Sequence, residues 1–361
     1  MKDKLLFILP GRPDLIPYVY NYFKKADECG RQYDVVCWNR LGEDVSVFPA
    51  NYMVYNHPTS DHYSSLKKIQ EIFGFYQFVR RSIGGRHYSV ILTFTIADSL
   101  FFSPWLTSHY RGRYIFDIRD YSPLVDSFVS RWLVRHMLKY SAVNVISSEG
   151  FRSWLPVGYD YCVCHNSEIN VVRQCLSHYD KRIDDGIIRV LTIGNIRDAE
   201  SNIKVVDSLG NKDGVQLEFA GDGKTARRIK EHYEKKGYCN VSFLGRYRKE
   251  EEDDIVKRCD IINIVLPHNK ISDHLMSNRF YLSARMRKPM VVNEGSFQAE
   301  MVRKYGLGLV VYIEDDIYTQ IKNYWSNMNW TEYDENCRSF LRKVLDDMIK
   351  WEARIKDIMS K

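Results

Sequence analysis

Several short stretches of this chain carry residue types that anion and hydroxyl chemistry uses. Gly194-Asn195-Ile196-Arg197 follows an apolar, β-rich run that begins at Arg189. A glycine there lets the backbone approach an anion closely, a following helix N-terminus offers N–H donors, and a guanidinium adds a bidentate contact. The alternative is a strand-end turn with a surface arginine. Gly221-Asp222-Gly223 closes the next run and reads as loop-shaping, because a lone Gly-x-Gly is weak. In the first half, Asp117-Ile118-Arg119-Asp120 ends another run. Its carboxylates could orient a hydroxyl or act as general base; equally, Asp and Arg could pair at the start of the next helix. Glu149, after the following run, competes for the same task, and Gly11-Arg12 end the first run. His62 and His165 also follow runs, where a lone histidine is more often incidental.

These stretches need elements to hold them. Between Arg189 and Val311 five apolar runs of strand length end at Gly, Asn or Pro, and charged stretches of helix length separate most of them. The alternation predicts parallel strands with crossover helices, and such sheets bind ligands beyond the carboxyl ends of their strands. The first half repeats the pattern, with strand runs at Leu5–Pro10, Tyr33–Asn39, 51–58, 88–95, 113–123, 142–150 and 161–166 and helices near 15–28, 64–83, 97–110 and 126–140. The fold class is therefore α/β. Expected domains are 1–182 and 187–330, joined by the polar segment 177–186, with a C-terminal helix over 331–361 packing back on the N-terminal domain.

A chain of 361 residues suits two domains. The net charge of +6 is uneven: residues 1–183 carry 22 Lys/Arg against 17 Asp/Glu, and within 62–152 the ratio is 12 to 6. That basic half suits a phosphate-bearing ligand or an anionic membrane surface, or is a solvated face around an aromatic-rich core. Helix 64–83 sharpens the choice, because Leu66, Ile69, Ile72, Phe73, Tyr76, Val79 and Ile83 form a broad apolar face amid Lys67, Lys68, Arg80 and Arg81. Arg131-WLVRHMLK has the same character. No stretch reaches the length of a membrane span, and Leu5–Pro10 is too short for a signal-peptide core. The eight cysteines are scattered without metal-ligand spacing, so they read as reduced thiols of a cytoplasmic protein and no metal is expected.

The ordered series Tyr114-IFDIRDYSP, Ser147-SEGFRSWLP, Val190-LTIGNIRD, Phe219-AGDGK, Phe243-LGRY and Asn278-RFYLSARMRKPMVV resembles GT-B glycosyltransferases, in particular family-4-like enzymes of bacterial capsule, O-antigen and exopolysaccharide biosynthesis. The resemblance implies two Rossmann-like domains facing a cleft. It implies a hexosyltransferase that moves a sugar from a nucleotide-sugar to a glycan or lipid-linked acceptor, with retention of configuration and without a cofactor or nucleic-acid partner. It places the enzyme in the cytoplasm, with peripheral contact at the anionic inner membrane face. The donor set it implies is Gly11, Arg12, Gly194, Asn195, Arg197, Gly221, Asn278, Arg279 and Glu300; the catalytic candidates are Asp117, Asp120 and Glu149. Asn278–Val292 aligns with the family pattern, roughly N-K-L-Y-E-Y-L-A-x-G-K-P-V-I, with Arg279 in place of the lysine that faces the donor phosphates. Leu282 stands where the family has a ribose-binding glutamate, and His274 where many members have a second one; either Glu294 or Glu300 takes the ribose, or donor binding differs from the family's pattern, or it is lost. A UDP-sugar 2-epimerase or a non-catalytic partner of the same fold are the alternatives.

Overall fold

The computed structural model describes residues 3–42, 44, 48–60, 64–176 and 185–361. They form two compact units, one of residues 1–165 with 347–361 and one of 166–346. The linker expected at 177–186 falls mostly outside the described residues, as does His62, and the division comes earlier, at His165/Asn166.

The first unit is built on seven parallel strands: β1 (Lys4–Leu9), β2 (Tyr33–Asn39), β3 (Tyr52–Asn56), β4 (Tyr88–Phe94), β5 (Tyr114–Ile118), β6 (Val143–Ile146) and β7 (Cys162–Val163), in the order β3-β2-β1-β4-β5-β6-β7. The strand order reverses between β1 and β4, the place where a doubly wound sheet opens a crevice at its carboxyl edge. β1, β4 and β5 are almost wholly buried, which is why they read as continuous apolar runs rather than alternating ones.

The second unit holds β8 (Ile188–Ile193), β9 (Val215–Ala220), β10 (Val241–Gly245), β11 (Ile261–Asn263), β12 (Met290–Asn293) and β13 (Gly308–Val311), again all parallel, in the order β10-β9-β8-β11-β12-β13. The first five coincide with the five runs. β13 is short, starts at a glycine and pairs only with β12, so its pattern did not separate it from the preceding helix. Val190, Leu217, Phe219, Val241, Ile261 and Val291 build the apolar core under the helices Glu200–Leu209 and Ala226–Lys236.

Two expectations about helices change. The last helix, Trp330–Ser360, does not pack back on the first unit alone: the division at Asp346/Asp347 runs through it. Phe340 meets Phe280 at 5.3 Å and Tyr305 at 5.5 Å in the second unit. Trp351 meets Tyr22 edge-on at 4.9 Å in the first, where Arg31 also donates to the Met359 carbonyl at 2.8 Å. Helix Ser65–Ile83 buries only Val79 and Ile83 of the broad face read from its sequence, together with Phe75, which stacks on Trp38 at 5.2 Å. Leu66, Ile69 and Phe73 of the same face are in solvent.

Candidate anion-binding site

The carboxyl edge of the second sheet is organised by backbone packing around Gly194. Gly194 ends β8 at φ +93, and its N–H donates to the Ala220 carbonyl at 2.8 Å. Gly221, at φ +133, lies so close that a Cβ there would stand 2.0 Å from the Gly194 carbonyl oxygen. Gly223 is equally tight, since its Cβ would stand 2.2 Å from the Ile196 carbonyl oxygen. Both glycines are required by backbone contact, so Gly221 shapes the loop that carries Asn195 and Arg197.

Arg197 is exposed, and no carboxylate pairs with it among the described residues. Arg279 donates to the Asn195 carbonyl at 2.9 Å and likewise has no carboxylate partner among those residues. Burial lowers the Arg279 guanidinium to about 10, and the nearby Arg197 charge pushes the same way, so it is still charged at neutral pH. Tyr247, whose phenol donates to Glu252 at 3.2 Å, opposes that shift. Arg279, reaching the loop after β8, and Arg197 on that loop therefore repel each other, with no acid paired to either among the described residues. An anion between them would relieve that repulsion.

The helix end that adds to this charge is not the expected one. The helix after β8 begins only at Glu200, and Asp198 accepts from the Glu200 and Ser201 amides at 3.2 and 3.0 Å. Its N-terminus is thus already capped by a carboxylate. Helix Asn278–Arg285 differs: its N-cap, Ser277, makes no side-chain cap bond, because its hydroxyl donates to Gln298 at 2.7 Å. Arg279 sits in its first turn, so its charge adds to an open helix terminus. Exposed Asn278 opens the same turn.

Other donor candidates fare unequally. Glu294 is paired with Arg303, which lowers its carboxyl, while exposed Glu300 in the first turn of Phe297–Tyr305 has no side-chain partner among the described residues. Leu282 is buried in the core, where no acid could be accommodated without a partner. Gly11 is not demanded by its surroundings, as a Cβ would meet only Ile16 at 4.0 Å. Arg12 is nearly buried and held by both oxygens of Asp14, at 3.0 and 3.1 Å, which neutralises it as an anion ligand.

In the first unit Asp117 belongs to a buried hydrogen-bonded network. It is fully buried, and its Oδ2 accepts from Tyr22 and from Arg119, each at 2.6 Å. Arg119 also donates to the Cys164 carbonyl at 3.1 Å and lies over Tyr18. Asp120 is exposed beyond β5, and Glu149 is half-buried in an ion pair with Arg152.

The sequence reading missed a cluster at the carboxyl end of β4. Thr95 has φ +62 and ψ 152, a conformation strained for a β-branched residue. Its hydroxyl donates to Asp98 at 3.0 Å, and Arg40, stacked over Trp38, donates to the same carboxyl at 2.9 Å. Burial, first, raises the Asp98 carboxyl, with Arg40 and Thr95 opposing. A second omission is His268, held by Asp273 at Nδ1 (2.9 Å) and by Asn293 at Nε2 (3.1 Å) beside the end of β12. Among the described residues no three His, Cys, Asp or Glu side chains gather as for a metal ion.

No family model matches the chain, and no curated protein matches it. Solved structures do. Sucrose-phosphate synthase from Thermosynechococcus elongatus superposes with a TM-score of 0.69 at 12% identity, covering 98% of this chain and 96% of the other. Anabaena HepE in complex with UDP-glucose gives a TM-score of 0.63 at 12% identity over 99% of each chain. The trehalose 6-phosphate synthase of Burkholderia multivorans gives 0.64 at 11% identity over 99% of this chain and 97% of that one. The fold is GT-B. At these identities the likeness is one of fold; the anion site rests on this chain's own residues.

Proposed function

We propose that this chain is a glycosyltransferase that binds a nucleotide-sugar through its diphosphate at Arg197, Arg279 and the open end of helix Asn278–Arg285. The observation that carries the reading is Arg279 bonded to the Asn195 carbonyl, two residues from Arg197, with neither arginine paired to a carboxylate among the described residues. Departure of a nucleotide diphosphate places negative charge on its terminal phosphate, and fixed cations lower the barrier by stabilising that charge. The tight Gly194–Gly221 contact keeps the Asn195 carbonyl where it orients Arg279. The fold's likeness to sugar transferases, HepE bound to UDP-glucose among them, supports the same substrate class.

In this reading Glu300, rather than Glu294, is the carboxylate left to receive the ribose hydroxyls that Leu282 cannot bond. The acceptor is a glycan or lipid-linked glycan of surface-polysaccharide synthesis, and transfer retains configuration, as in the family the sequence resembles. Asp120 and Glu149 remain the acidic candidates for the acceptor hydroxyl, with Asp98 beside strained Thr95 as a third.

A panel of nucleotide-sugars tests the proposal by thermal stabilisation, followed by an assay for released nucleotide diphosphate. Stabilisation by at least one donor and release of its diphosphate on adding acceptor glycan are expected. Interconversion of the free donor would identify an epimerase instead, and stabilisation by no donor would sink both readings.

A further inference from the structure

The stretch from Gln320 to Asn336 is crowded with amides and rings: nine of its 17 residues are Asn, Gln, Tyr or Trp. The anion site uses none of them. Helix Ile317–Ser326 returns along the second sheet from β13 and ends at Asn327, and the last helix starts at Trp330. Gly306, which precedes β13, lines the same cleft as Asn327, so this junction lies at the amino edge of the sheet, opposite Gly194. The cleft holds about 570 Å³, within the range of about 300–1,000 Å³ usual for small-molecule sites. Five carboxamides line it, those of Gln320, Asn323, Asn327, Asn329 and Asn336. Leu309, Met328 and Tyr324 supply apolar surface, and buried Tyr333 underlies them.

The amides are held in place yet little used. The Asn327 and Met328 N–H groups donate to the Asn323 and Trp325 carbonyls at 3.3 Å each, and Trp325 meets Trp330 edge-on at 5.1 Å, so the turn is tight. Asn327 Nδ2 donates to the Asn323 carbonyl at 2.8 Å, and Asn329 Oδ1 accepts from the Glu332 N–H at 3.3 Å. Asn336 Nδ2 reaches the Gly306 carbonyl only at 3.5 Å. The Asn323 amide and the Tyr324 hydroxyl have no hydrogen-bond partner among the described residues. Each carboxamide carries two donor hydrogens and an oxygen with two lone pairs, so most of this capacity stays open. Charge argues against an ionic ligand. No Lys or Arg lines the cleft, and Glu332, the one acid that does, is exposed without a cation partner among the described residues. A phosphate would meet only repulsion there, and one exposed carboxylate is a weak anchor for a cation. A neutral ligand rich in hydroxyls fits instead. Each hydroxyl both donates and accepts, as each amide does, while the C–H face of a sugar ring packs on Leu309, Met328 and Tyr324.

We propose that this cleft is a non-catalytic saccharide site that holds a short run of rings of a neutral glycan. The inference rests on the cleft and not on the transferase reading, since binding is measured with no nucleotide-sugar present. Calorimetric titration of the full chain with maltohexaose, cellohexaose and chitohexaose tests it. At least one of the three should bind at millimolar concentration or below, and binding should survive added salt because no ion pair forms. Asn323→Ala with Asn336→Ala removes two neutral hydrogen-bonding groups and should weaken binding by about fivefold or more. Tyr324→Phe keeps the ring, loses the hydroxyl and should weaken binding by about two- to tenfold. Asn323 is exposed and Asn336 gives up only a long bond, so unchanged melting is the control. Should the double variant melt lower, Tyr324→Phe decides alone. A nucleotide-sugar that stabilises the wild type should stabilise the variants equally, because the cleft lies at the opposite edge of the sheet. Binding of none of the three oligosaccharides, binding abolished by salt, or variants that bind like the wild type would each overturn the proposal.

Discussion

Replacing Gly221 by Ala should damage the second unit and its anion site together. The new Cβ would stand 2.0 Å from the Gly194 carbonyl oxygen and 2.9 Å from its carbonyl carbon, both backbone atoms that cannot swing aside. Gly194 is itself tied by its N–H to Ala220, and Gly221 by its N–H to Gly245 at 2.7 Å. Overpacking costs about 1–3 kcal/mol and the strain of φ +133 about as much again, so a loss of about 4 kcal/mol is reasonable. For a unit of this size that is a fall of about 8–16 °C in melting temperature. Gly194→Ala is the control: nothing lies within 4 Å of its Cβ, so only the strain of φ +93 remains, about 1–2 kcal/mol. Thermal melts of both variants, with and without a nucleotide-sugar, give the comparison. Gly221→Ala should melt lower and also lose donor stabilisation, because a displaced Gly194 carries Asn195, and with it the bond that orients Arg279. Equal melting of the two variants, or an unaltered donor response in Gly221→Ala, would refute the reasoning.

Two further substitutions separate structural from chemical roles. Asp117→Asn removes the negative charge that balances buried Arg119 and should cost about 3–5 kcal/mol of stability, seen in a urea titration. An unchanged unfolding midpoint with lost activity would restore Asp117 to catalysis. Arg287, at φ +54, bonds Asp334 at 2.6 Å and the Cys175 carbonyl at 2.6 Å, so Arg287→Ala should cost about 3–5 kcal/mol in the same titration. Arg287→Gly should recover about 1 kcal/mol of that, since glycine adopts the left-handed backbone freely; no recovery would mean the backbone is unstrained.

Much of this molecule was legible from strand ends. Runs such as Val190–Ile193 and Tyr114–Ile118 announce a parallel sheet because burial on both faces removes alternation, and the turn residues that follow mark its carboxyl edge. Partners distant in sequence were not legible. Asp117 lies at a strand end, as expected, but Tyr22 closes on it from 95 residues away. Arg12 looked free until Asp14, two residues on, took both sides of its guanidinium. The uncapped helix at Asn278 could not be found by spacing either, since Ser277 looks like a cap and only Gln298 diverts its hydroxyl. Asp198, by contrast, was readable as the cap of Glu200–Leu209, because an acid just ahead of a helix usually bonds its first amides. Arg287 occupies the position where the quoted pattern has glycine, and its left-handed φ shows the backbone demand surviving the change of residue.

The anion site itself is tested most directly by calorimetric titration of a nucleotide-sugar, chosen from the stabilising donors, into the wild type, Arg279→Ala and Asp222→Ala. Asp222 sits on the same loop, exposed and paired with Arg246 at 2.8 Å, so it controls for general disturbance. A hydrogen bond to a charged group contributes about 1.5–3 kcal/mol, so Arg279→Ala should raise the donor's Kd by about 10- to 100-fold. Asp222→Ala should change it by less than about threefold, as expected for an exposed ion pair. Equal losses in the two variants, or an unchanged Kd in Arg279→Ala, would contradict the assignment of the diphosphate to Arg197 and Arg279.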